Sequence, residues 1–326
     1  MKTISNKNVI TKSVAIQLLA GLALIGCAPE FDDPTMAVVK KPEILSVVLS
    51  PPEAVPGQTV RATFLMADDR GVIEDNANVW MPMGASDEDM EASLAKMEID
   101  LESLGEAEFE FKVPPASSFT FDEDGLSGQM VSLFAATGNT PSPETPIEQL
   151  LGSLESLVES GDVKTALRTL VVSERSNRNQ NPLILDVTAG DEETQDTPVS
   201  TVRSDDRDIP ATRQSAADNP LVVKENESIF FAVDVEDDSN DAISLRYQWI
   251  STGGDFAGLR RKVQEFKAPE FQELESGDED QTDLENVNPR VDPNLHPVWL
   301  VIRDNGISGG LGQSWVEFYV RVEPAE

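Results

Sequence analysis

Apolar and polar positions alternate with a period of two over several short stretches, each closed by turn-forming residues. Val60, Ala62, Phe64 and Met66 alternate with Arg61, Thr63 and Leu65 before Asp68-Asp69-Arg70-Gly71. This is the pattern of a half-buried strand ending in a turn. Phe109, Phe111 and Val113 alternate with Glu108, Glu110 and Lys112 ahead of Pro114-Pro115. Further along, Ile229, Phe231, Val233 and Val235 form one such face, and Leu245, Tyr247 and Trp249 another. Near the end, Val316, Phe318, Val320 and Val322 point one way, while Trp315, Glu317, Tyr319 and Arg321 point the other. Continuous apolar runs at 44–50, 130–136, 166–173, 183–187 and 298–302 predict more strands, the last of a fully buried type.

Helical spacing is rarer. Residues 86–104 fit both periods. A short helix to about residue 95 is predicted, then a strand pairing with 107–113 around Gly105. A clearer helix is predicted near 145–160. There Thr145 caps, Pro146 takes the first position, Glu148 completes a capping box and Gly161 stops the helix. Its stripe of Ile147, Leu150, Leu151, Leu154, Leu157 and Val158 needs a cover, either its own sandwich or a docking partner. The polar junction 173–182 reads as an interdomain hinge. Residues 189–219 and 268–294 read as long acidic loops, the first expected to be mobile. Short strands, abundant turns and a central Trp together predict an all-β chain of β-sandwiches.

The start of the chain is different in kind. Lys2, Lys7 and Lys12 precede the mostly apolar VAIQLLAGLALI, then Gly26 and Cys27. Positive, apolar and small-residue regions in that order make a secretory signal over residues 1–26. LIGC, residues 24–27, resembles the lipobox of bacterial lipoproteins. The resemblance implies cleavage before Cys27, lipidation of its thiol and acylation of the new amino terminus. Ala28 in the next position implies the outer membrane rather than inner-membrane retention. An ordinary signal peptide, or an uncleaved anchor, is the competing reading. Residues 27–41 follow as a lipidated cysteine and tether.

A second resemblance lies in the C-terminal part. The segments VVKENESIFFAVDVEDDSNDAISLRYQWIST, VWLVIRDNGISGG and SWVEFYVRV are similar to immunoglobulin-like repeats of the polycystic-kidney-disease and cadherin-like kind. PEILSVVLSP and PGQTVRATF in the first part resemble bacterial immunoglobulin-like modules. The implied organisation is two immunoglobulin-like β-sandwich domains, 42–176 with one or two helical insertions, and 177–326.

Composition narrows the chemistry. One cysteine in 326 residues excludes a disulfide framework, and its lipidation would remove any thiol nucleophile. Fifty-nine acidic against 25 basic residues give a net charge of −34, which repels nucleic acid and anionic lipid alike. His296 is the single histidine and has no motif around it, so a solvated loop position is expected and triads and zinc are disfavoured. The glycines of ISGGLG lead from strand to strand and read as a hairpin loop. Opposed carboxylates for a hydrolase are not placed by any pattern. Calcium is the sharper idea, since it takes six to eight oxygen ligands. Asp234, Glu236, Asp237, Asp238 and Asn240 cluster at one strand end, and Asp304 ends another. Glu225-Asn226 resembles the acidic-Asn turn of cadherin-like repeats. The DDSND run also reads as a plain Asx turn. Trp315 and Tyr319, on the face opposite the apolar one, are candidates for stacking on a sugar or a partner, or for cover by the 268–294 loop. The expected function is that of a non-enzymatic, lipid-anchored envelope protein acting as a structural or protein-interaction module. A carbohydrate-binding or calcium-dependent adhesive module is the alternative, and a hydrolase comes third.

Overall fold

The computed structural model describes residues 38–73, 78–83, 98–99, 108–127, 131–138, 163–204, 211–237, 245–258, 261–273, 292–304 and 312–325. Strands up to residue 172 form two sheets. The first contains β1 (Glu43–Ser50), β3 (Thr59–Asp68), β7 (Glu108–Lys112) and β6 (Glu98–Ile99) in that order, with β4 (Gly71–Val72) on β3. The second contains β2 (Glu53–Ala54), β9 (Val163–Val172), β8 (Val131–Gly138) and β5 (Asn78–Met83). Between them lie Val47, Leu49, Val60, Phe64, Phe109, Phe111, Leu133 and Leu170, all buried. The expected pairing of 107–113 is present, with Glu98 opposite Lys112 and Ile99 opposite Phe111. The helices expected at 86–95 and near 145–160 lie outside the described residues.

From residue 183 the strands form two more sheets. One runs β11 (Gln195–Pro198), β10 (Leu183–Gly190), β14 (Ser228–Glu236), β17 (Val263–Lys267), β16 (Asp255–Phe256). The other runs β12 (Val202–Arg203), β19 (Gln313–Glu323), β18 (Leu295–Arg303), β15 (Arg246–Ser251), with β13 (Leu221–Lys224) on β19. Trp249 sits at the centre of the enclosed core, stacked on Phe231 at 5.8 Å between ring centroids. Its Nε1 donates to the Arg261 carbonyl at 2.9 Å. Phe231, Phe256, Phe266 and Phe318 join it in an aromatic cluster, and burying each such ring stabilises by about 1.5–3 kcal/mol. The chain is thus all-β, with two immunoglobulin-like β-sandwiches.

The two sandwiches pack face against face. Leu45, Val48, Leu65 and Ala67 from the outer face of β1 and β3 form one buried cluster with Ile250, Trp299, Val301, Trp315 and Tyr319 from the outer face of β15, β18 and β19. Both middle sheets therefore bury both faces, which is why β18 reads as an unbroken VWLVI. Strand β1 meets the same demand through a register shift between Ile44 and Ser46. The extra residue of such a bulge reverses the parity of the strand. Leu45 and Val48, three apart, thereby share the seam, while Val47 and Leu49 face their own core. Val39 also enters the seam, its N–H donating to the Ser251 carbonyl at 2.8 Å. The tether read over 27–41 is therefore already part of the folded body at Val38–Val39.

Two other expectations are corrected. Residues 189–219 are not a structureless loop. They carry β11, β12 and a helix, α1 (Arg213–Asp218), whose Thr212 side chain accepts from the Ser215 N–H. The start of the 268–294 stretch is also tied down: Gln272 and Asn294 exchange hydrogen bonds at 2.8 and 2.9 Å, and Phe271 packs on the core.

Candidate functional site

Trp315 and Tyr319 alternate with the apolar face of β19 as expected, but they are not a surface for ligands. They are 6% and 5% exposed. The cover is the first sandwich together with α1, whose Ala216 and Ala217 belong to the same cluster, rather than the 268–294 loop. Between the two aromatics, Glu317 is fully buried. Its carboxylate accepts from Arg213 Nε at 3.0 and 3.1 Å, from Trp299 Nε1 at 3.0 Å and from the Tyr319 hydroxyl at 2.6 Å. A buried carboxylate is tolerable only when paired and hydrogen-bonded in this way. The result is a clamp that pins α1 to the sheet. The sequence signal was an acidic residue in the middle of an aromatic face.

The described residues among those considered for calcium do not gather. Among the described residues, no group of three or more His, Cys, Asp or Glu side chains is placed to hold a metal ion. Asp234 lies 3.6 Å from Lys262, and Asp304 accepts from Asn179 Nδ2 at 2.7 Å. Glu236 and Asp237 end β14 and its exit; Asp238 and Asn240 lie outside the described residues. The Glu225-Asn226 turn is structural. Asn226 has φ 60, in the left-handed region that Asn tolerates. Glu225 accepts backbone N–H bonds from Ala325 and Phe271, each at 3.1 Å, and these bonds hold its carboxyl below the usual carboxylate range. His296 is not in a solvated loop. It stands half-buried in β18, its Nδ1 3.5 Å from the Thr252 hydroxyl.

Polar groups converge instead where the 173–182 linker crosses between the sandwiches. Glu53, at 0% exposure, accepts from Arg175 Nε at 3.0 Å and Nη2 at 2.7 Å, from the Asn179 N–H at 2.8 Å and from the Ser173 hydroxyl. Burial raises its pKa, but the bonds from Arg175, Ser173 and Asn179 and the Arg175 charge outweigh that and leave it lowered. Asn181 continues the knot, donating to the Leu49 carbonyl at 2.9 Å and accepting from the Gln313 N–H at 2.8 Å. The linker lies so close to β19 that a Cβ on Gly312 would come within 2.6 Å of the Gln180 carbonyl. Two arginines close the free edge of β1. Arg168 Nε donates to the Val47 carbonyl at 3.0 Å and Arg303 Nη2 to the Leu45 carbonyl at 3.3 Å. Burial, and then a neighbouring guanidinium, push both down to about 10, so both stay charged at neutral pH. Beside the linker a polar cleft opens, lined among others by Arg61, Arg178, Arg203 and Trp315. None of this junction is announced by a motif; its parts are 120 or more residues apart in sequence.

No known protein family matches this chain, and neither does any curated protein. Solved structures with a similar backbone include the D0-D1 domain of intimin, at 9% identity over 84% of this chain and 98% of that one, with a TM-score of 0.22. Drosophila N-cadherin EC1-4 is 12% identical over 87% of this chain and 51% of that one, with a TM-score of 0.23. Mouse cadherin-23 EC22-24 is 12% identical over 86% and 65% respectively, with a TM-score of 0.20.

Proposed function

We propose that this chain is a lipoprotein of the cell envelope, anchored in the outer membrane through Cys27, and that it acts as a non-enzymatic structural or protein-interaction module. The observation that carries the reading is the seam. Two sandwiches fused through a shared apolar cluster, with the segment from the anchor inserted between them, make a stiff body suited to presenting surfaces rather than to opening and closing around a substrate. The described buried carboxylates are consistent with this, since Glu53, Glu317 and Asp304 each hold structural hydrogen bonds. The strong negative charge keeps such a surface soluble and apart from anionic lipid.

Growth with an alkyne fatty acid, followed by membrane fractionation, tests the anchor. The wild-type protein should label and sediment with membranes, and Cys27→Ala should do neither. Membrane retention of an unlabelled Cys27→Ala protein would overturn the lipid assignment. Crosslinking in intact cells with mass spectrometry tests the module: a reproducible protein neighbour supports it, and a protein crosslinked only to itself removes the interaction role.

A further inference from the structure

The cleft between the sandwiches has a volume of about 640 Å3, within the ~300–1,000 Å3 typical of small-ligand sites. In a chain of net charge −34 its lining is unusual. Among the described residues, three guanidinium groups, Arg61 from β3, Arg178 from the linker and Arg203 from β12, face it against two carboxylates, Glu53 and Glu108. Glu53 is already saturated by Arg175, Ser173 and Asn179, and Arg61 lies 3.5 Å from Glu110. Arg178 and Arg203 have no carboxylate among the described residues. Arg178 Nη1 donates to the Arg175 carbonyl at 2.9 Å, and Arg203 Nη2 to the Leu185 carbonyl. Carbonyls solvate a guanidinium without neutralising it, and each guanidinium carries five donors in a fork that matches a carboxylate. The wall holds two more buried donors, Arg203 Nε and Trp315 Nε1, without acceptors among the described residues. Buried donors left open in this way are uncommon and call for a cause.

We propose that this cleft binds an acidic saccharide, a short sugar chain bearing carboxylate groups, with Arg178 and Arg203 pairing its carboxylate. The rest of the lining favours a sugar over an acidic peptide. Gln58, Thr63, Asn177 and Gln180 offer mixed donors and acceptors of the kind that hydroxyl groups require. Pro51 adds a flat apolar surface for a ring face.

Isothermal titration of the purified protein with trigalacturonate, maltotriose and triglutamate tests this. Trigalacturonate should bind, more weakly as salt is raised, and maltotriose should not. Arg178→Ala should weaken trigalacturonate roughly tenfold, whereas Glu108→Lys, at an exposed position, should tighten it by a similar factor. Opposite effects of the two variants cannot come from misfolding. No binding of trigalacturonate, or binding that neither variant alters, overturns the proposal. Triglutamate binding as tightly as the sugar would make this an acidic-peptide site and overturn the saccharide assignment.

Discussion

At the scale of single residues, two buried carboxylates, Glu53 and Glu317, each tie together elements far apart in sequence. Arg213→Ala would leave the fully buried Glu317 carboxyl with only Trp299 and Tyr319 as donors. Removing one partner of such a pair should cost about 3–5 kcal/mol, read as a lower urea midpoint. Glu53 makes a different prediction, because its folded pKa lies below the ordinary value of 4.5. A lowered carboxyl stabilises fully above its unfolded value, and that contribution is lost as pH falls through the folded value. The linker knot should therefore loosen only in acid. Glu53→Gln should lower stability at pH 7 and flatten the decline below about pH 4.5, as measured by urea midpoints across pH. Ser46 makes the reverse case. Its hydroxyl is buried without a partner, so Ser46→Ala should leave the thermal midpoint unchanged or raise stability by about 1 kcal/mol.

At the scale of elements, the strand periods were legible and the side they face was not. Alternation along β19 correctly separates Val316, Phe318 and Val320 from Trp315 and Tyr319. Periodicity reports parity alone, and a face that would meet solvent in a single sandwich meets a second sandwich here. The unbroken VWLVI of β18 and LSVVL of β1 were the available signals that both faces are covered. Strand β11 was missed because QDTP is almost wholly exposed at a sheet edge and has no apolar partner to betray it. Helix α1 was missed because it is six residues long and buries only Ala216 and Ala217, which make no stripe. The cleft was invisible for a further reason: its walls come from β3, β12, β19 and the linker, and no local pattern records which distant arginines will meet. The β1 bulge yields a test at this scale. Deleting Ser46 removes the extra residue, and the strand then alternates simply, with Ile44, Val47 and Leu49 still toward the core and Leu45 and Val48 still toward the seam. That deletion should therefore be tolerated, with a thermal midpoint near that of the wild type, as for Ser46→Ala.

At the scale of the whole molecule, the seam should make two sandwiches behave as one cooperative unit. Calorimetry should show a single unfolding transition for the wild-type chain. Leu45→Ala removes a side chain that is 6% exposed and lies in the seam rather than in either core. Large-to-small changes at such sites cost about 2–5 kcal/mol. The expected outcome is a lower first transition and separation of the two sandwiches into distinct steps. A wild-type chain that already melts in two steps would mean that the seam is too weak to couple them.

The place where the chain enters its folded body also sets how it would carry a load. Were Cys27 lipidated, the chain from it to Val38 could span at most about 40 Å at ~3.6 Å per residue. Any pull on it would arrive first at the Val39–Ser251 hydrogen bond, between the sandwiches, and not at the end of either one. Ser251 pairs with Val298 in the first half of β18, while Asn179 and the cleft adjoin Asp304 just past its far end. If the proposed lipid on Cys27 is present, a pull from it would reach the seam on the Ser251 side and leave the cleft on the Asp304 side, turning its opening away from the membrane.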